Sequence, residues 1–211
     1  MFDLLAALAL GYLLGGVPTA AIAARLRGKN IFELGSGNMG AMNSARNLGW
    51  GVGVPVALID VGKGALATYL GLQMAEAVGR ADVAALLPAL AAAIGAVLGH
   101  AYSPWVQFAG GKAIATTFGV TLPLAPLLGL FYLGFIVALY LITRHMNLAG
   151  LLGSLLLPVV ALFLLQREGW VGDALFVLVT GLVPVALIGA VKHVQAWARQ
   201  RGAGHSEPLP D

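Results

Sequence analysis

Two short stretches hold most of the residues in this chain that suit chemistry on a charged substrate. The first is Glu33-Leu-Gly-Ser-Gly-Asn-Met-Gly-Ala-Met-Asn-Ser-Ala-Arg46. Gly35, Gly37 and Gly40 are interleaved with Ser36, Asn38 and Asn43, and Arg46 closes the run. Glycines let backbone N–H groups converge on one point, and a helix starting nearby adds free N–H groups and its positive dipole end. The arginine adds a planar fork that matches phosphate or carboxylate. The run reads as an anion cradle; the plainer alternative is a turn capped by Ser and Asn. It also contains a formal G-x-G-x-x-G over 35–40, with Asp60 about 20 residues on, as in dinucleotide sites. That match fails on context, because the fingerprint needs a preceding strand of a parallel sheet and the flanks here are long apolar runs.

The second stretch runs from Gly99-His100 through Tyr102, Ser103 and Trp105 to Gly110-Gly111-Lys112, where a helix rich in Ala and Thr begins. Free N–H groups at that helix start, with a mobile ammonium, make a second anion site. It is not a Walker loop, since Val106 takes the place of the first glycine and Ala113 that of the metal-binding Ser or Thr. The bland reading is an N-terminal turn with a snorkelling lysine. An ionisable residue in a membrane segment is a functional candidate by default, so His100 is one to orient phosphate or move a proton. A histidine bonded to a loop carbonyl is the alternative.

Other polar groups are weaker signals. Asp60 and Lys63 share a helix face at i, i+3 and can neutralise one another, with Lys63 also a candidate to face substrate. Arg144-His145-Met146-Asn147 reads as a short turn whose basic residues follow from topology, and Asn147 is kept as a substrate-binding candidate. Lys192, His193, Arg199 and Arg201 mark the end of the last apolar run facing anionic lipid, with His193 a further candidate ligand.

The elements that must position these groups are membrane helices. Of 211 residues, 59% are hydrophobic and 10% charged, against about 25% charged in soluble domains. The net charge of +3 then belongs to loops facing anionic lipid, and nucleic acid is not expected as a partner. With no cysteine, disulfides and thiolate metal sites are excluded, and His100, His145, His193 and His205 have no metal-ligand spacing, so no metal is expected. Apolar runs near 3–25, 51–74, 83–99, 127–143, 148–166 and 171–191 suit a hydrocarbon layer of about 30 Å. The run 113–125 is short and closed by Pro123 and Pro126, either a short span or a broken one. Asp3 stands where a signal peptide would be basic, so the first run reads as a retained helix.

Counting 113–125 gives seven spans. With the N-terminus outside, Arg25, Arg27, Lys29, Arg46, Lys112, Arg144, Lys192, Arg199 and Arg201 then fall inside and only Arg80 and Arg167 outside, as the positive-inside rule asks. The expected fold is an all-α integral membrane protein of seven transmembrane helices, one of them short, with a cytoplasmic C-terminus. Residues 1–201 form a single polytopic domain, and 202–211 form a disordered cytoplasmic tail.

In order and spacing, Gly-Ser-Gly-Asn-Met-Gly-Ala-Met-Asn-x-x-Arg, Asp-Val-x-Lys-Gly and Gly-His…Phe-x-Gly-Gly-Lys-x-x-Ala-Thr resemble the bacterial acyl-phosphate:glycerol-3-phosphate acyltransferases, the PlsY family. The resemblance spans roughly residues 5–165. It implies a seven-helix enzyme of the bacterial plasma (inner) membrane with its active site on the cytoplasmic face. Such an enzyme moves a fatty acyl group from acyl phosphate to the sn-1 hydroxyl of glycerol 3-phosphate, giving lysophosphatidic acid and phosphate. No cofactor, acyl-carrier protein or CoA takes part, and a monomer is expected. On the matching positions, Ser36, Asn38, Asn43 and Arg46, with Gly35, Gly37 and Gly40, would hold one phosphate and position the reacting groups. His100, Gly110, Gly111 and Lys112 would hold the other and stabilise charge at the carbonyl. Ser36, Arg46, His100 and Lys112 are the expected catalytic set.

The chain departs from that family at three places. Met42 stands where Thr is usual and Ala109 where Lys is usual, and an Arg-His-x-x-Asn-Ile motif is not reproduced around Gly189–Trp197. A non-catalytic or altered-acceptor homologue that binds phosphorylated lipid precursors is therefore the alternative, with an anion transporter a more distant one.

Overall fold

A computed structural model describes residues 1–202. Among them there are helices and loops but no strand. The tail expected over 202–211 lies outside the described residues apart from Gly202, which ends the last helix. Helix α1, Phe2–Gly16, stops at Val17-Pro18 and the chain resumes as α2, Thr19–Arg25. Pro18 has no N–H to continue the ladder. After the first polar loop come α3, Ala41–Leu48, and the long α4, Trp50–Ala77. Then follow α5, Leu86–Ala101, the short α6, Ile114–Thr121, and α7, Pro126–Thr143. Helices α8, Met146–Arg167, and α9, Gly172–Gly202, complete the chain.

Among the described residues, six segments are long and apolar enough to cross a bilayer: Phe2–Arg25, Trp50–Ala77, Asp82–Val106, Pro126–Thr143, Met146–Arg167 and Gly172–Arg199. This is a multi-pass membrane protein. The six coincide with the six long runs expected from hydropathy. The seventh element is different. Helix α6 has 8 residues, about 12 Å at the usual rise, less than half the hydrocarbon thickness. Pro123 and Pro126 explain its brevity, since neither can donate to a continuing ladder.

Helix packing here cannot rest on water expulsion, so backbone approach decides it. Helices α1 and α5 run parallel and touch through small residues. A Cβ on Gly11 or Gly15 would overlap the Ala92 or Ala96 carbonyl, and one on Gly95 or Gly99 would overlap the Leu8 or Tyr12 carbonyl. Gly64 of α4 is as close to Thr116 of α6, and Gly71 to Ala89 of α5. These contacts put the C-terminal ends of α1 and α5 and the N-terminal half of α4 at one end of the bundle. Gly53 of α4 lies directly beneath Ala45 and fixes α3 at that same end.

Candidate active site

The first loop is built around Asn43. Its buried amide nitrogen donates to the carbonyls of Leu34 at 3.0 Å and Asn38 at 2.9 Å, with Ile31 at 3.5 Å. Its Oδ1 accepts from the Ser36 N–H at 3.1 Å and from Asn47 Nδ2 at 2.9 Å. Gly35 and Gly37 take φ of +51° and +62°, and a Cβ on Gly35 would meet the Asn43 and Asn47 amides. Gly40 is different, with φ −98° and room for a Cβ at an ordinary 3.5 Å from Asn38 Oδ1. Asn43 is therefore the internal staple of the loop. Both polar ends of its amide are engaged within the loop.

Around that staple, Ser36 is exposed at the loop tip and the start of α3 carries no side-chain cap. The first N–H groups of α3 are thus left for water or a ligand. Asn38 Oδ1 is buried with no hydrogen-bond partner among the described residues, which suits an incoming donor. Arg46, at the far end of α3, is exposed and donates from one nitrogen to the Tyr140 hydroxyl at 3.2 Å near the end of α7. Most of its fork remains open.

The second loop rests on a buried polar layer. Gly111 donates its N–H to the His100 carbonyl at 2.9 Å, and a Cβ there would overlap the His100 ring. Gly110 is equally close to the Ala101 carbonyl. Both glycines are required by close approach, and neither has positive φ. Beneath them His100 is 3% exposed and points Nδ1 toward Asp60 Oδ1 at 3.7 Å. Asp60 pairs with Lys63 at 2.8 Å and accepts from Thr19 Oγ1 at 3.3 Å. Lys63 also donates to the Val17 carbonyl at 3.1 Å, and Ser103 Oγ donates to the Gly16 carbonyl at 2.5 Å. The break at Pro18 frees these carbonyls, and the side chains of α4 and the second loop satisfy them, as hydrocarbon burial demands.

This layer takes in two of the candidate residues. Lys63 is buried, and its ammonium bonds to Asp60 and to the Val17 carbonyl. His100 forms a floor behind Gly111, and among the described residues its Nδ1 makes no hydrogen bond. Lys112 leaves the floor and donates to Asn147 Oδ1 at 2.5 Å, at the first turn of α8. One turn further along α8, Gly150 lies against the buried ring of His193 from α9, whose two nitrogens have no hydrogen-bond partner among the described residues. Asn147 and His193 are thus brought to Lys112.

The two loops meet across the turn between α7 and α8. Arg46 reaches Tyr140 on one side of that turn and Lys112 reaches Asn147 on the other. Arg144 itself takes φ +58°, and Thr143 holds the turn by accepting the His145 N–H on Oγ1 at 3.2 Å. Tyr140 was not legible as a site residue, because it lies in an unbroken apolar run where a tyrosine reads as an interface residue. Thr19 was hidden for a similar reason. Only the break at Pro18 hinted that polar groups would be needed there.

A multi-pass helical membrane protein with two glycine-rich, cation-bearing loops converging on one turn belongs to the class that handles anionic substrates at a membrane face. The family model described as glycerol-3-phosphate acyltransferase matches residues 5–201, and the chain belongs to that family. It is 41% identical over 180 residues to glycerol-3-phosphate acyltransferase 1 of Deinococcus radiodurans, covering 85% of this chain and 86% of that one. It is 40% identical over 157 residues to a glycerol-3-phosphate acyltransferase of Thermus thermophilus, covering 74% and 75%. Its fold is similar to the crystal structure of PlsY, an integral membrane glycerol 3-phosphate acyltransferase, in its glycerol 3-phosphate form. That match has a TM-score of 0.75 and 26% identity, covering 96% of this chain and 94% of that one.

Proposed function

We propose that this protein acylates glycerol 3-phosphate, taking the fatty acyl group from acyl phosphate and passing it to the sn-1 hydroxyl. The convergence of Arg46 and Lys112 on the α7–α8 turn carries this reading. It supports two phosphate groups held on either side of one reacting centre, which turns a bimolecular reaction into an oriented one. In the step proposed, the hydroxyl oxygen of the acceptor attacks the carbonyl carbon. The carbonyl carbon–oxygen bond to phosphate then breaks, and phosphate departs with the hydroxyl proton. Lys112 and the N–H groups at the start of α6 stabilise charge on the carbonyl and the leaving phosphate. Ser36, the free N–H groups of α3 and Arg46 hold the acceptor, with Asn38 Oδ1 accepting a hydrogen bond from one of its hydroxyls. Gly35, Gly37 and Asn43 shape that loop; Gly110, Gly111 and His100 shape the other; Asn147 holds Lys112 in place, and the His193 ring, packed on Gly150 one turn along α8, lies beside them as a further substrate-binding group.

The acyl chain has a route beside the loops. Phe131, Tyr132 and Phe135 of α7 and Gly153, Leu156 and Leu157 of α8 line an apolar groove open toward lipid. It begins roughly 9 Å along α8 from Asn147, within reach of a fatty chain whose carboxyl end lies at Lys112.

The proposed topology has seven crossings. Helix α6 starts at the loop end of the bundle, whereas α7 begins about 27 Å from its own loop-side end. In this reading the segment 113–125 changes sides, as helix over 114–121 followed by a turn over 122–124. In this arrangement the cationic residues Arg25, Arg46, Lys112, Arg144 and Lys192 share the loop end, which supports a cytoplasmic site and C-terminus in a bacterial inner membrane. Residues 1–201 act as one membrane domain, as a monomer and without acyl-carrier protein or CoA. Phosphate release by purified protein supplied with both substrates tests the reading, with Lys112→Ala and Arg46→Ala as controls expected to abolish it.

A further inference from the structure

The buried cations of this protein differ in what balances them. Lys63 pairs with Asp60. Lys192, expected to face lipid at the end of the last span, is instead 4% exposed, and its Nζ stands 4.5 Å from the centroid of the Tyr102 ring. Among the described residues no carboxylate lies within ion-pair distance of it. A buried ammonium without a counter-charge is costly, and a ring face returns only part of that cost. Tyr102 is itself well fixed. Its N–H donates to the Leu98 carbonyl at 2.8 Å, and its own carbonyl accepts from the Tyr12 hydroxyl at 2.9 Å.

Tyr102 follows His100, whose carbonyl anchors Gly111, and Lys192 precedes His193, whose ring lies one turn from Asn147. Lys192 is thus held at the second loop from the α9 side. A ring face holds an ammonium without neutralising it and without using its N–H donors in a salt bridge. A carboxylate at this position would do both.

We infer that Lys192, perched on the Tyr102 ring, is a phosphate-binding residue that completes the Gly110–Lys112 cradle from α9. Its charge is balanced when a phosphate group occupies the cradle. The inference rests on the acyl-transfer reading only for the identity of the phosphate-bearing substrate. Binding of inorganic phosphate tests it independently.

The full chain in lipid–detergent micelles is titrated with inorganic phosphate while its melting temperature is followed, and is then assayed with acyl phosphate and glycerol 3-phosphate. Wild-type protein is expected to melt higher as phosphate is added. Lys192→Met is expected to melt at or above the wild-type value without phosphate and to lose the phosphate-dependent rise. Its KM should rise roughly tenfold or more for one substrate, with kcat within about threefold. Lys192→Arg should restore the rise, and Tyr102→Leu should move the same KM in the same direction. A phosphate-dependent rise intact in Lys192→Met, or unchanged KM for both substrates, overturns the inference. So does a much lower melting temperature of that variant without phosphate, which would mean that the fold balances the charge. Should Lys192→Met not fold, Lys192→Gln and Tyr102→Leu carry the same titration. A phosphate-dependent rise in wild-type protein that transfers no acyl group defeats the acyl-transfer reading alone.

Discussion

Replacing Gly111 with alanine isolates the support beneath the second loop. Gly111 does not occupy the left-handed region, so its backbone accepts alanine and the effect is steric alone. A Cβ would lie 2.7 Å and 2.9 Å from Cε1 and Cδ2 of His100, closer still to Nε2. The ring cannot withdraw, because Asp60 stands behind it at 3.7 Å and is held by Lys63. The loop must therefore move by ~1 Å, enough to lower kcat/KM about 100-fold. Overpacking should cost about 1–3 kcal/mol of stability, leaving a folded protein to assay. Removing the ring should return the loop, so His100→Ala/Gly111→Ala is expected to transfer acyl groups faster than Gly111→Ala. The assay is steady-state phosphate release from all four members of the cycle, with melting temperatures alongside. A coupling of at least ~1 kcal/mol in the rescuing direction is expected. Additivity within ~0.5 kcal/mol would refute the view that His100 acts as a floor.

Three further outcomes follow from the same geometry. Asn43→Ala should destabilise the protein by about 1–3 kcal/mol, since it leaves loop carbonyls unpaired, and should lower activity more than it lowers the melting temperature. Gly37→Ala, at φ +62° and 3.0 Å from the Phe32 carbonyl, should cost about 1–2 kcal/mol, whereas Gly40→Ala should be nearly neutral in thermal denaturation. Lys63→Met, by leaving Asp60 buried alone, should cost about 3–5 kcal/mol, and Asp60→Leu/Lys63→Met should recover most of it in the same measurement.

Much of this protein was legible from residue types. The six long helices followed from apolar runs, and both loops from clusters of glycine beside Asn, Ser and basic residues. What could not be read was which groups face inward. Asn43 and Ser36 stand seven positions apart in one polar run, yet one staples the loop and the other lies at its tip. Gly35, Gly40 and Gly111 look alike in sequence. Positive φ requires the first, nothing nearby requires the second, and the His100 ring requires the third. Lys192 looked like a lipid-facing charge because a helix end carries no mark of the aromatic ring that another helix brings to it. These distinctions depend on long-range contacts, which a local pattern does not encode.

Everything proposed for the reaction turns on Arg46 and Lys112 serving one acyl-transfer centre. The decisive experiment supplies purified protein with acyl phosphate and glycerol 3-phosphate and follows phosphate and lysophosphatidic acid together. Equal release of both products, dependent on both substrates and lost in Arg46→Ala and in Lys112→Ala, is the predicted result. Phosphate release that ignores glycerol 3-phosphate, or wild-type protein that binds phosphate yet forms no lysophosphatidic acid, would contradict it.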